Sequence, residues 1–528
     1  MRGRCLLTCL LVASCGHVDS PAPDAPEPPD PPPPPPQVTL KVTLNWLDDS
    51  GQITATEDIT SLAVRDVAVL LPNAAARGGF DTRTAEMTTT GLAIRDVPAN
   101  TTYTLDVPSL AGRLLYVTDA RDIDLKFYEV GRHNPLQPTR PTPLTVNANT
   151  MTAWQDGDGL TFYCARVNAF GPVAAMQPGV SGWPKVGDTT LALTVDWANI
   201  DRGIFQDRMT PLIDGNVGDR LVLSHDRRLG SSTGYPYNTS LETAAFPSFT
   251  QTDGAARTVA AAFSTTPQDA VHLKLQLPEF VRYATDIHPD AKINPDFLAG
   301  GGVTIRTQPA DPAHKRQFSA LAPSMVFTLF GAVNVDIDMG QMVYPHVPSS
   351  WSQWLGAAHT FIVDRDTPFG IPHRASAVIG TTLPITPGSP ATDVVTPVVP
   401  RISPPRAATL GGVALSAPHL GLYQPSGPPI EVRWEEPALV DATPTSYSLT
   451  LIKLDQSGDK LVPSTLAAIA APAKSRALSI PWQLFPGTGV YYVVLTAIAA
   501  EGEFDPQLGG PSGTDSVADA VSGILTLK

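Results

Sequence analysis

The sequence predicts an all-β, multidomain fold, a chain of β-sandwich modules. Three observations carry this. Apolar and polar residues alternate with a period of two in run after run. Clusters of Gly, Pro, Asn and Asp, such as Asp48-Asp49-Ser50-Gly51 and Asp156-Gly157-Asp158-Gly159, separate the runs. The 54 prolines are scattered along the 528 residues and disfavour long helices.

The N-terminus precedes any module. Arg2 and Arg4 give a positive start, residues 5–12 are apolar apart from Thr8, and the small residues Ala13 and Ser14 lead to Cys15. This is the layout of a secretion signal over residues 1–14, with an apolar run too short to span a bilayer. Val12-Ala13-Ser14-Cys15 resembles a bacterial lipobox. That resemblance implies cleavage before Cys15, acylation of its thiol and new amino group, and a lipid anchor in the cell envelope. Gly16, where some bacteria place a retention Asp, leans towards the outer membrane. An ordinary cleaved signal and an uncleaved anchor are the alternatives. Residues 15–37 then form a Pro-rich disordered tether. Its core, PAPDAPEPPDPPPPPP, has no large apolar residue and favours polyproline II, reaching about 50 Å at roughly 3.1 Å per residue.

The first module is expected at 38–112. Val38, Leu40, Val42, Leu44 and Trp46 fall on one face of a strand, and Thr39, Lys41, Thr43 and Asn45 on the other. Val67, Val69 and Leu71 give a second strand. Gly91-Leu92-Ala93-Ile94, Val97-Pro98 and Tyr103-Thr104-Leu105-Asp106-Val107 together resemble carboxypeptidase-regulatory-like β-sandwich modules, which implies a spacer or stabiliser. Ala99-Asn100 replaces the usual turn glycine, and Asn tolerates the left-handed conformation such a turn needs.

Two further β-rich domains are expected at 113–270 and 271–399, where Leu191, Leu193, Val195 and Trp197 repeat the alternation. Two short helices are also expected here. One covers 312–322, with Asp311 as N-cap and Pro312 at the first position. The other lies around 350–358.

The last module is expected at 400–528, after a proline-rich junction. Ile430, Val432 and Trp434 alternate, as do Tyr491, Val493, Leu495 and Ala497. With Leu484-Phe485-Pro486-Gly487-Thr488, these residues resemble a fibronectin type III domain. The resemblance implies a core anchored by Trp434 and a corner leading into the strand after it. One residue more than the family pattern separates Thr488 from Tyr491.

Composition narrows function. The net charge is −14 with only 16% charged residues, and no basic patch stands out, so no nucleic-acid partner is expected. Three of the four cysteines lie at or before the cleavage point, so only Cys164 falls in the folded part, where it reads as a buried, inert thiol. No cofactor and no metal site is expected. Gly230-Ser231-Ser232-Thr233-Gly234 fits a nucleophile-elbow pattern but lies in a β-rich context, so it reads as a loop. His359 and His373 flank Asp364 and Asp366, and Asp156 and Asp158 share a turn. Both groups read as ordinary side chains sooner than as metal ligands. Tyr344, His346, Trp351 and Trp354 form the best ligand hypothesis, because exposed aromatic faces stack on sugars or grip peptides. The expected role is therefore non-catalytic: a membrane-anchored surface or periplasmic lipoprotein that binds an unknown protein or glycan, or serves a structural end. The alternative is a secreted hydrolase acting on glycan or peptide, its catalytic carboxylates hidden within 113–399.

Overall fold

The computed structural model describes residues 37–527 apart from 49–51, 64–66, 74, 77–78, 90, 110–111, 168, 201–208, 266, 297–299, 310–323, 332, 347–350, 386–393, 424–428, 440 and 500–515. The signal segment, Cys15, almost all of the proline-rich tether and the expected 312–322 helix lie outside the described residues. The fold is all-β and multidomain. Among the described residues the α-helices are single turns such as Leu277–Val281 and Ala284–Ile287.

The first sandwich is built around the strand Gln37–Leu47. Along one edge it pairs in parallel with Asp122–Val130, from Thr39↔Asp122 to Leu47↔Val130. Along the other it pairs first with Gly91–Arg95 and then with Ile53–Asp58. The change of partner falls at Val42, whose N–H donates to Thr60 Oγ1 at 2.9 Å. The inward face switches there too. Val38, Leu40 and Val42 are buried as the alternation predicts, but beyond them Thr43, Asn45 and Leu47 are buried, while Leu44 and Trp46 are half-buried. Thr43 donates to Asp124 Oδ1 at 3.0 Å and Asn45 accepts from Thr56 at 2.8 Å, so the buried polar positions are satisfied.

The facing sheet runs Phe80–Thr84, Ala68–Pro72, Tyr103–Ser109, Gly112–Thr118. Val38, Leu40, Val69, Leu92, Ile94 and Leu105 fill the space between the two sheets. Asn100 adopts φ 56°, the left-handed turn that its side chain tolerates. Because Gly112–Thr118 and Asp122–Val130 complete these sheets, the unit extends to residue 130 and past the boundary expected at 112.

The second sandwich covers 143–265. Ala169–Val173, Gly159–Cys164, Val222–Gly230 and Pro236–Ala245 form an antiparallel sheet in that order. Opposite it, Pro143–Asn149 lies between Leu191–Asp196 and Arg257–Thr265. Phe162, Trp197, Leu193, Leu223 and Phe263 fill the core.

Residues 268–398 and 402–527 share one continuous core, so no break in packing falls at 400. The strand Trp351–Arg365 pairs with Gly301–Pro309 on one side and His373–Ile385 on the other. This overturns the helix expected around 350–358, because the segment has a ladder partner along both edges. The C-terminal sandwich sets Val413–Ala414, Arg406–Leu410, Ile430–Glu435 and Ala477–Ile480 against Lys460–Pro472, Ser446–Ser457, Gly489–Ala499 and Ser516–Val521. Trp434 packs on Tyr447 with ring centroids 5.0 Å apart. Tyr491 donates from its hydroxyl to the Gly487 carbonyl at 2.8 Å, a tyrosine corner that closes despite the extra residue before it.

The first and last sandwiches are joined. Arg113 to Tyr116 pair in parallel with Ala467 to Ala470, which makes one sheet continuous across both. Leu70, Phe80 and Leu115 of the first unit enter the C-terminal core.

Candidate functional site

The aromatic cluster does not form an open platform. Tyr344, on Asp336–Pro345, is fully buried and donates to Gln353 Oε1 at 2.8 Å. Its burial raises its pKa, and the nearby Asp269 charge adds to the effect. Trp354 is buried as well, on the strand whose register sets it opposite Arg306 and Pro384. The exposed stack formed by Tyr344 and Trp354 is therefore corrected: both rings serve the interior. Trp351 begins the same strand, and its side chain lies outside the described residues. His346 is partly exposed and faces both Asp269 carboxylate oxygens at 3.1 Å.

The Gly-Ser segment is a hairpin tip between Val222–Gly230 and Pro236–Ala245, with no helix after it. Ser232 Oγ accepts the Gln341 N–H at 2.7 Å and Thr233 Oγ1 donates to the Asp338 carbonyl at 3.1 Å. These hydroxyls dock the hairpin onto a neighbouring strand. His359 is buried against Phe280, Phe330 and Phe361 and contacts the Gly300 carbonyl through Nδ1 at 3.0 Å. Asp364 points outwards and pairs with Arg374 at 2.9 Å, and Asp366 is exposed. Successive residues of a strand face opposite sides, so the hairpin separates these groups. Cys164 is buried in the second core, where desolvation pushes its thiol up to about 12.

The most concentrated polar chemistry lies elsewhere, inside the second sandwich. Leu221, Leu223, His225 and Arg227 occupy successive inward positions of one inner strand and its approach. Across the pairing from His225 stands Glu242. The turn at 155–158 folds Asp158 inwards, where its carboxylate accepts the Gln155 N–H at 2.7 Å. His225 then has Glu242 Oε1 at 2.9 Å from Nδ1 and Asp158 Oδ2 at 2.9 Å from Nε2. Arg227 binds both Asp158 oxygens, at 2.8 and 2.5 Å, and donates to the Ala153 carbonyl at 2.7 Å. Glu242 also accepts the Thr152 N–H at 2.7 Å and the Thr152 hydroxyl at 3.0 Å. Trp154 covers the imidazole in a stack with centroids 5.1 Å apart and planes at 11°.

Electrostatics explain why these charges tolerate burial. Desolvation works to raise the Asp158 pKa, but the Arg227 fork, the Gln155 N–H and His225 outweigh it, and the pKa is lowered. Arg227 is raised in return by Asp158. Both imidazole nitrogens face carboxylate oxygens. A histidine acting as general base needs a nitrogen facing substrate, and here both nitrogens are occupied. The group works instead as a polar clamp that fastens residues 152–158 to two strands. Asp156 and Asp158 share the turn expected of them, closed by the Asp158 N–H donating to the Gln155 carbonyl at 3.2 Å, with Asp156 exposed and Asp158 buried. The signal for the clamp was legible as polar residues at inward positions of an alternating strand.

The molecule is thus an all-β protein of several sandwiches joined by shared sheets and cores, with its strongest polar cluster closed inside one of them. No family model matches the chain, and no curated protein does. Among solved structures it aligns with the FN1–FN3 domains of chicken CNTN1, at 8% identity over 81% of this chain and 96% of that chain, with a TM-score of 0.13. A streptococcal ancillary pilin aligns at 10% identity over 68% of this chain and 98% of that one, with a TM-score of 0.11. The pilus adhesin SpaC from Lactobacillus rhamnosus GG aligns at 8% identity and a TM-score of 0.11, over 88% of this chain and 56% of that chain. Likeness this low carries no argument, and the fold class rests on the strand pairing itself.

Proposed function

We propose that this chain is a lipid-anchored protein of the bacterial cell envelope, attached through Cys15, whose β-sandwich body has a non-catalytic binding or structural role outside the membrane. On this reading the proline run stands the body off the lipid surface, and the fibronectin type III-like C-terminal unit belongs to the surface presented to a partner protein or glycan. The observation that carries it is the position of Gln37–Leu47. The strand begins directly after the proline run and is an inner strand, paired along both edges. Tension arriving through the tether acts along this strand, so its ladder hydrogen bonds are loaded together in shear and do not open one at a time. The sheet continuity between the first and last sandwiches then passes load to the far half of the chain.

Fractionation tests the anchor. The wild-type chain should partition with membranes and carry acyl mass on its N-terminal peptide, and Cys15→Ser should leave the membrane fraction. A Cys15→Ser chain that stays with membranes overturns the anchor. Screening the full chain on glycan and peptide substrates tests the second half. Turnover abolished by a single Asp or Glu substitution would replace the non-catalytic role with hydrolysis.

A further inference from the structure

A guanidinium buried without a counter-charge is among the least favourable arrangements in a protein interior. Arg365 is in that state. It ends the strand Trp351–Arg365 and is 8% exposed. Its Nε, Nη1 and Nη2 are all buried with no hydrogen-bond partner among the described residues. Its closest companion is the Tyr492 ring, whose centroid lies 5.5 Å from the guanidinium carbon. Burial brings its pKa down to about 10, which leaves it charged at neutral pH.

The groups that face it are the Tyr492 ring and two histidines. His373 is the register partner of Arg365, so the two side chains share one side of the sheet. The buried His373 ring lies 5.2 Å from the Tyr492 ring, and its Nε2 has no hydrogen-bond partner among the described residues. His288 comes in from the turn after Ala284–Ile287 and is also buried. Its Nδ1 accepts the Asp290 N–H at 3.1 Å, which puts the ring proton on Nε2. Burial first, and then the Arg365 charge, hold both imidazoles below their ordinary pKa, His373 at about 4. The Asp290 carboxylate is largely solvent-exposed, and Asp364 is engaged by Arg374 on the opposite face.

Among the described residues no carboxylate hydrogen-bonds to this guanidinium.

We propose that Arg365, with His373 and the Tyr492 ring, forms a binding site for a small oxyanion, a phosphate or carboxylate group that the guanidinium fork takes through two parallel hydrogen bonds. A planar fork with free N–H groups matches these anions, and the tyrosine ring holds the guanidinium plane in place. The Nε2–H tautomer of His373 supplies a further donor.

Thermal unfolding of the full chain at neutral pH tests this in chloride, inorganic phosphate and acetate at matched ionic strength. Phosphate or acetate should raise the midpoint above the chloride value by about 2 °C or more, along a saturating curve. The anion giving the larger increment identifies the ligand class. Arg365→Met should lose the increment and, in chloride, should unfold at or above the wild-type midpoint because the unpaired charge is gone. Arg365→Lys keeps the charge without the fork and should respond more weakly than wild type. If Arg365→Met does not fold, His373→Phe should show a reduced increment. An increment of wild-type size in the variants, or no increment over chloride in wild type, overturns the site.

Discussion

Arg227 donates two hydrogen bonds to the Asp158 carboxylate inside the second sandwich, at 2.8 and 2.5 Å, and neither residue can be lost alone at small cost. Arg227→Met leaves Asp158 charged and half-satisfied beside His225, so it should destabilise the protein by about 3–5 kcal/mol in denaturant titration. Replacing Asp158, His225, Arg227 and Glu242 together with apolar residues of similar volume should cost far less, because no charge is then stranded. His373 gives a residue-scale prediction in pH. Its folded pKa of about 4 lies below the unfolded 6.5. Between those values the unfolded chain binds the proton and the folded one does not. Its contribution is thus complete above about pH 6.5 and is lost as pH falls towards 4. His288 and His359 are lowered in the same sense, so their contributions superimpose on this one. Replacing His373 with Gln should flatten the fall in stability across that window, and an unchanged slope would show that the ring is not held neutral. Of Asp158 and His373 the sequence exposed only chemical type. His373 and Asp158 read as ordinary side chains, because nothing local says that one is pressed against Arg365 and the other turned inwards by a loop.

Elements were legible wherever one strand kept one partner along each edge. Ile430–Glu435 buries Ile430, Val432 and Trp434 just as the alternation requires. Gln37–Leu47 follows its pattern to Val42 and then reverses, because a change of neighbour is a tertiary event that leaves no mark on period-two sequence. Trp351–Arg365 was misread for a related reason: Gln353 to Ala358 carry no β-branched residue, and only pairing on both sides makes them a strand. The Tyr491 corner shows the opposite case, in which local chemistry tolerates an insertion. The hydroxyl still reaches Gly487, so Tyr491→Phe should lose a bond worth about 1 kcal/mol and leave the strand intact, readable as a lowered denaturant midpoint with unchanged slope.

At the scale of the whole molecule, the sequence suggests modules in series, and the structure joins the first to the last. The parallel ladder from Arg113 to Tyr116 against Ala467 to Ala470 bridges more than three hundred residues of chain. No periodicity could reveal it, since each strand satisfies the same alternation whether its neighbour is near or far in sequence. The consequence is thermodynamic. Leu115 is fully buried in the C-terminal core although its strand belongs to the first sandwich. Leu115→Ala removes apolar contacts from that shared core, at a cost of about 2–5 kcal/mol. If the two sandwiches open as one cooperative unit, the loss should appear as faster hydrogen exchange at the amides of Ala467–Ala471 and Tyr491–Leu495, as well as around residue 115. The amides of Val222–Gly230, which lie around the separate second core, should keep their wild-type protection. Exchange that rises only within residues 37–130 would show that the sandwiches unfold independently, and that the sheet between them is continuous in geometry without being continuous in stability.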